Sequence, residues 1–260
     1  IQFNDHKISK IQRKKLKLID QTYYKLYQKK KLKEDVFFIF DEIHRIDGWE
    51  DYVLYLLDDS RQKVLNTGST SKLLKGKVAS SLRGKNYTTE IFPFSLREFA
   101  DHYNVDCGSV SSKSRAKLVN LFMRYLEQGG FPGLLDLEKP FHIELLQNYW
   151  DTMVLRDIIE ANQGESIDYP TLSYFTQALI SRTGCPVTIR RIMENMHNAG
   201  FRFGTEKIYK YLDYLEQAYM IFSIPFYSKS EKVRNRNYRK VYCIDWALAN
   251  SICPGEKIDS

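Results

Sequence analysis

Two short strand-like runs end in residues that can do chemistry. Val36-Phe37-Phe38-Ile39-Phe40 runs into Asp41-Glu42, and Val64-Leu65-Asn66-Thr67 runs into Gly68-Ser69-Thr70-Ser71. A carboxylate such as Asp41 can hold Mg²⁺, directly or through water, and a second such as Glu42 can orient an attacking water. If the runs are adjacent parallel strands, the hydroxyls around Ser69 reach the same edge. Five apolar residues ahead of Asp-Glu set the first signal apart from an ordinary acidic turn, whereas Gly-Ser-Thr-Ser alone can be no more than a turn. Arg83 and Lys85, in Leu82-Arg83-Gly84-Lys85, are candidates for a cation that meets a phosphoryl group, with a solvated loop as the plain alternative.

Holding these groups together requires a sheet. Val36–Phe40 reads as a buried parallel strand and Val64–Thr67 as its neighbour. Between them Trp49, Tyr52, Val53, Leu56 and Leu57 recur at helical spacing. Ile1-Gln2-Phe3 reads as a strand end, and Tyr87–Phe92 as a further strand closed by Pro93. This alternation predicts an α/β sheet with ligands at the carboxyl ends of its strands.

After Phe99 the pattern becomes mostly helical, interrupted at Gly129-Gly130-Phe131-Pro132-Gly133 and at Tyr169-Pro170. Thr188–Asn198 and Thr205–Tyr219 read as two helices around a turn. Met220–Tyr227 and Lys240–Ile244 then read as strands joined by a basic segment. That is the order of a winged helix. Lys207 and Lys210 on the second helix, with Arg234, Arg236 and Arg239 on the wing, are the candidate DNA contacts. Glu206, Asp213 and Glu216 share that helix and oppose a phosphate backbone. A protein-interaction role for the same module stays open.

The net charge of +7 is compatible with nucleic acid. Eleven Lys or Arg fall between Lys7 and Lys33, where a solvated helix face is the plain reading. Apolar runs such as Val36–Phe40 are far too short to span a bilayer, and Ile1–Lys7 lacks signal-peptide anatomy, so a cytoplasmic location is expected. Cys107, Cys185, Cys243 and Cys253 have no metal-ligand spacing and read as reduced thiols.

A phosphate-binding enzyme would also need a glycine-rich loop with a following Lys to cradle phosphates on backbone N–H groups. The first glycine is Gly48, beyond the carboxylates, and Gly76-Lys77 and Gly84-Lys85 lack the following Ser or Thr. Even so, the ordered set of motifs resembles a prokaryotic family of AAA-type P-loop ATPases with a C-terminal domain of unknown function. The matching stretches are Val36–Arg45, Asn66–Leu74, Glu90–Phe99, Tyr125–Gly133, Tyr149–Ile158, Tyr211–Ile221 and Lys240–Asp245.

The resemblance implies an ATP- and Mg²⁺-dependent enzyme, with Asp41 as the Walker B metal carboxylate, Glu42 and Ser69 as the catalytic and sensor residues, and Arg83 as a further catalytic candidate. Its phosphate loop is expected upstream of Ile1. Lys85 stands where the family usually has Arg, and no nuclease chemistry is assigned to the stretch beyond Asp245. The expected organisation is the C-terminal part of an ATPase core over residues 1–101, a helical connector over 102–180, a winged helix over 181–245, and a tail or the start of a further domain over 246–260. The rival reading is a non-enzymatic DNA-binding or protein-interaction module on an ATPase-like scaffold, with no membrane partner in either case.

Overall fold

The computed structural model describes residues 1–3, 15–27, 35–69, 82, 85–108, 111–159 and 166–253, with backbone alone at 155–157, 235 and 236. The chain divides into two compact units, Ile1–Thr89 and Glu90–Ser260.

The first unit contains helix α1 (Lys17–Leu26), strand β1 (Val36–Phe40), a 3₁₀ turn (Ile43–Arg45), helix α2 (Trp49–Leu57) and strand β2 (Gln62–Asn66). β1 and β2 pair in parallel, from Val36 opposite Gln62 to Phe40 opposite Asn66. Gln2 makes a parallel bridge to Asp41. Val36, Phe38 and Phe40 face a core shared with Trp49, Tyr52, Val53 and Leu56 of α2 and Leu16 and Tyr24 around α1. The spacing of the α2 residues, i, i+3, i+4 and i+7, is that of one helical face. Buried Asp20 of α1 ties the two helices, accepting hydrogen bonds from Tyr52 Oη at 3.3 Å and Tyr55 Oη at 3.4 Å. Burial, and then the Asp20 charge, raise the Tyr52 hydroxyl above its usual pKa.

Two expectations are corrected here. β1 is not buried on both faces: Phe37 is 67% exposed and Ile39 56%, because the described helices cover only the face of Phe38 and Phe40. Tyr87–Phe92 forms no strand. Tyr87 is 95% exposed and Ile91 92%, and a β-rich run without a ladder partner among the described residues has nothing to hold it extended in a sheet.

The second unit is mostly helical. It comprises α3 (Leu96–His102), α4 (Ser112–Gln128), a 3₁₀ turn (Pro132–Leu134), and α5 (Lys139–Asp151), which runs on into a π-helical stretch (Thr152–Ile159). α6 (Tyr169–Ile180), β3 (Pro186–Val187), α7 (Ile189–Asn198), α8 (Thr205–Gln217), β4 (Ile221–Pro225), α9 (Glu231–Arg236), β5 (Arg239–Cys243) and α10 (Trp246–Ile252) follow. The helix starts carry their local signals. Ser95 and Glu98 form a capping box on α3, and Asp168 caps α6 with Pro170 in its first turn.

The antiparallel sheet has the order β3-β5-β4. One core extends from Leu134 and Trp150 through Phe175, Ile192 and Leu212 to Val241 and Leu248. A smaller cluster joins Phe99, Ala100, Leu121 and Leu135. Ala247, Leu248 and Ala249 of α10 are buried in the main core. The basic connection between β4 and β5 is also not a plain loop, because Glu231–Arg236 is helical. Its Lys and Arg residues are good helix formers, and Glu231 suits the first turn. No helix of the described residues is long and apolar enough to cross a membrane.

Candidate functional site

The carboxyl ends of β1 and β2 bring the first set of candidates together. Asp41 still belongs to the sheet: its N–H donates to Ile1 O at 2.8 Å, and its carbonyl accepts from Phe3 N at 2.9 Å. Thr67 follows β2, its N–H donating to Phe40 O at 2.9 Å. Parallel register therefore sets Thr67 beside Asp41, and Thr67 Oγ1 donates to Asp41 Oδ1 at 2.5 Å. The same hydroxyl accepts from Glu42 N at 3.3 Å.

Glu42 leaves the sheet in a left-handed conformation, φ 58° and ψ 33°. For a non-glycine residue this is uncommon and costs about 1–2 kcal/mol. Ser69 Oγ donates to its Oε2 at 3.2 Å. The 3₁₀ turn folds the next residues back, placing His44 Nε2 3.8 Å and Arg45 Nε 3.6 Å from that oxygen. The Glu42 side chain is only 16% exposed. Asn66 Oδ1, a buried atom at the end of β2, has no hydrogen-bond partner among the described residues.

This is a set of hard oxygen donors with two adjacent carboxylates. It suits Mg²⁺, which is commonly held by one or two carboxylates together with substrate phosphates rather than by an all-protein cage. No group of three or more His, Cys, Asp or Glu among the described residues could hold a metal ion. Of the expected site residues, Asp41, Glu42 and Ser69 are brought together. Arg83, Thr70 and Ser71 lie outside the described residues. Lys85 is exposed, with its N–H donating to Leu82 O at 2.9 Å. Thr67, His44 and Arg45 are additions. Thr67 read only as the last residue of a strand, and nothing in the spacing of Ile-His-Arg shows that the chain turns back on Glu42.

The basic candidates lie in the second unit. Lys207 Nζ is 3.4 Å from Asp168 Oδ2 and 5.7 Å from the Tyr211 ring centre. Lys210 on α8 and Arg234 on α9 are exposed. Arg239 is half-buried, its Nη1 donating to Ser223 Oγ at 3.2 Å across β5 and β4. The side chain of Arg236 lies outside the described set.

Comparison with known proteins supports both halves. The family model of the AAA domain matches residues 1–100, and that of the domain of unknown function DUF8612 matches residues 119–257. The uncharacterized protein MJ1544 of Methanocaldococcus jannaschii is 33% identical over 209 residues, covering 79% of this chain and 46% of its own length. An uncharacterized protein of Haemophilus influenzae is 29% identical over 223 residues, covering 85% of this chain and 52% of its own. The chain thus spans about half the length of these curated relatives. Among solved structures, the Walker-type ATPase PABY2304 of Pyrococcus abyssi aligns with a TM-score of 0.46 and 15% identity, covering 84% of this chain and 63% of its own. With an AAA domain at its N-terminal end, the chain belongs to the family of the domain of unknown function DUF8612.

Proposed function

We propose that the ends of β1 and β2 are the metal and water side of a nucleoside-triphosphate hydrolysis site. The observation that carries this is the cross-strand pairing of Asp41 with Thr67 and of Glu42 with Ser69, at the carboxyl ends of adjacent parallel strands. Bound there, Mg²⁺ would neutralise charge on the phosphates. Asp41 would be its ligand, and Thr67 fixes the carboxylate by donating to one oxygen. Glu42 accepts a proton from water and orients it, while Ser69 holds the Glu42 carboxylate in place. Arg45 pairs with Glu42 in the resting arrangement, His44 lies beside the same oxygen, and both are side chains that can turn away. The phosphates themselves need a backbone cradle and a Lys, which these strand ends do not provide.

Two measurements test this reading. Calorimetric titration of the chain with Mg-ATP is expected to show no micromolar binding, since carboxylates alone grip a nucleotide weakly. With a glycine-rich Lys-Ser/Thr loop joined to the site, Glu42→Gln is expected to retain ATP and slow hydrolysis by about 10²–10⁴-fold. Turnover at the unsubstituted rate would overturn the role of Glu42, and Asp41→Ala should also weaken Mg²⁺ binding.

A second reading concerns the other unit and rests on a different observation. The order β3, α7, α8, β4, α9, β5, with an antiparallel sheet ordered β3-β5-β4, supports reading this stretch as a winged helix. α8 would then face duplex DNA through Lys210, with Arg234 on α9 as a phosphate contact and Arg236 and Lys207 as the remaining candidates. Lys207 and Arg239 already have partners within the unit. A protein-interaction role for the module competes with this. Gel-shift titration at two salt concentrations separates them, because a phosphate-contacting surface loses affinity steeply with salt.

A further inference from the structure

The outer face of the small sheet is not polar. Ile221, Val241 and Val187 point into the core and are buried. Their neighbours in register point outward, with Phe222 opposite Tyr242, and Ile224 opposite Lys240, which is itself opposite Pro186. An antiparallel sheet with one solvated face ordinarily alternates apolar-in and polar-out. Here Ile224 is 56% exposed and Phe222 38%. One end of the face is extended by Phe92, whose ring lies edge-on to Phe222 at 5.8 Å and to Tyr219 at 5.7 Å. The other end continues into the β4–β5 connection, where Tyr227 is 86% exposed and Tyr238 packs edge-on against Phe226 at 5.3 Å.

The charge of this connection is one-sided. From Phe226 to Lys240 there are six cations, Lys229, Lys232, Arg234, Arg236, Arg239 and Lys240, against the single acid Glu231. Six cations against one acid leave this connection with a local net charge of +5. Arg239 is held by Ser223, whereas Lys229, Lys232, Arg234 and Lys240 are exposed.

We propose that the outer face of β4 and β5, with Tyr227 and α9, binds single-stranded nucleic acid. The proposal rests on reading the β4–β5 connection as a nucleic-acid surface and narrows its ligand. Exposed rings beside a dense, nearly unopposed set of cations match a polyanion that carries π-faces. A duplex keeps its bases stacked inside and offers phosphates to Lys232 and Arg234 but no ring to Tyr227. A single strand offers both.

The test is fluorescence anisotropy of the chain with an oligothymidylate and an oligouridylate of about 20 nucleotides, a duplex of equal length, and a polyglutamate peptide. Either single strand should bind more tightly than the duplex, and the better of the two identifies the sugar preferred. Tyr227→Ala removes a ring without touching charge, at a position too exposed to threaten folding. It is expected to weaken single-strand binding by about five-fold or more, with Tyr227→Phe restoring it. Lys232→Gln with Arg234→Gln should flatten the salt slope by about 1.4. Equal binding of duplex with Tyr227→Ala neutral would overturn the single-strand proposal and leave the nucleic-acid surface standing. Retention of no nucleic acid at low salt, or polyglutamate bound as tightly, would overturn both.

Discussion

Glu42 in the first unit and Asp245 in the second are both acids just past a strand, and their partners differ in kind. Asp245, 5% exposed, accepts from two backbone N–H groups, Gly130 at 2.7 Å and Leu248 at 3.0 Å. It caps α10 and fastens that helix to the Gly129-Gly130 turn. A Cβ on Gly129 would sit 2.5 Å from its Oδ1, and one on Gly130 would sit 2.4 Å from Phe94 O. Gly129 also has a φ of +79°. Among the described residues, Glu42 draws its carboxylate partners from the side chains of Ser69, His44 and Arg45, on a backbone in the left-handed region. Backbone donors cannot swing away, so Asp245 is built in. Side-chain donors can rotate to admit a ligand, and strain at a polar strand end is retained only where the surroundings hold it. The partners of a buried acid thus separate Asp245, which holds the fold, from Glu42, for which a catalytic role is proposed.

The largest expected effect bears on the built-in acid. Asp245→Ala orphans two backbone N–H groups and removes a cap, at about 1–3 kcal/mol for each buried donor. A loss of about 3–5 kcal/mol is expected in urea unfolding, with the Leu248 amide losing hydrogen-exchange protection while β1 keeps its own. Gly130→Ala should act in the same direction, because Phe94 N donates to Gly130 O at 2.7 Å and the new Cβ forces these strands of chain apart. Unchanged unfolding in Asp245→Ala would remove the distinction between the two acids.

Glu42 should behave in the opposite sense. Asn tolerates the left-handed region better than Glu, so Glu42→Asn is expected to stabilise the first unit by up to about 1 kcal/mol while removing the carboxylate. A site under functional strain gains stability as it loses chemistry. A clear loss of stability in Glu42→Asn would mean that the Ser69 and Arg45 contacts are structural after all.

What the sequence shows of this comparison is uneven, for physical reasons. β1 is legible as an unbroken apolar run that stops at Asp41, and α2 because a period of 3.6 falls on residues that are buried together. Asp41, Glu42 and Ser69 are legible because apolar runs stop at them. The partner of Asp245 is not, since Gly130 lies 115 residues away and no local pattern joins them. Gly129-Gly130-Phe-Pro-Gly therefore reads as a motif of a family, and only the packed structure shows it to be a close approach under Phe94 and Asp245. The left-handed turn of Glu42 is invisible for a similar reason, because Glu has no preference for it. Tyr87–Phe92 fails as a strand because β-propensity records fit to a pleated surface and is silent on whether one is there. α9 is missed, because the run of cations around Ser230 and Glu231 reads as a basic loop.

The smallest effect belongs to the ion pair of Lys207 with Asp168, and it tests whether an exposed acid in the second unit behaves like either of the other two. The Asp168 side chain is 38% exposed and that of Lys207 33%. Asp168 takes its main support from Thr171, whose Oγ1 donates at 2.6 Å and whose N–H donates at 3.3 Å. The Thr171 hydroxyl holds the Asp168 carboxyl below its ordinary pKa, burial opposes it, and the Thr171 N–H and Lys207 lower it further. Because the folded value is depressed, this stabilisation is present above the unfolded value, near pH 4, and is lost as pH falls through the folded one. Lys207→Gln should therefore lower stability by only a few tenths of a kcal/mol at neutral pH, as expected of an exposed pair. The difference from the unsubstituted chain should shrink with added salt and vanish in acid. Asp168→Asn should do more, because it weakens the cap on α6 as well as the pair. If Lys207→Gln costs as much as Asp168→Asn, the pair outweighs the cap, and Lys207 is a structural residue unavailable to a phosphate. If it costs nothing in stability yet weakens nucleic-acid binding in low salt, Lys207 leaves Asp168 for the ligand, and its present partner is a resting one like those of Glu42.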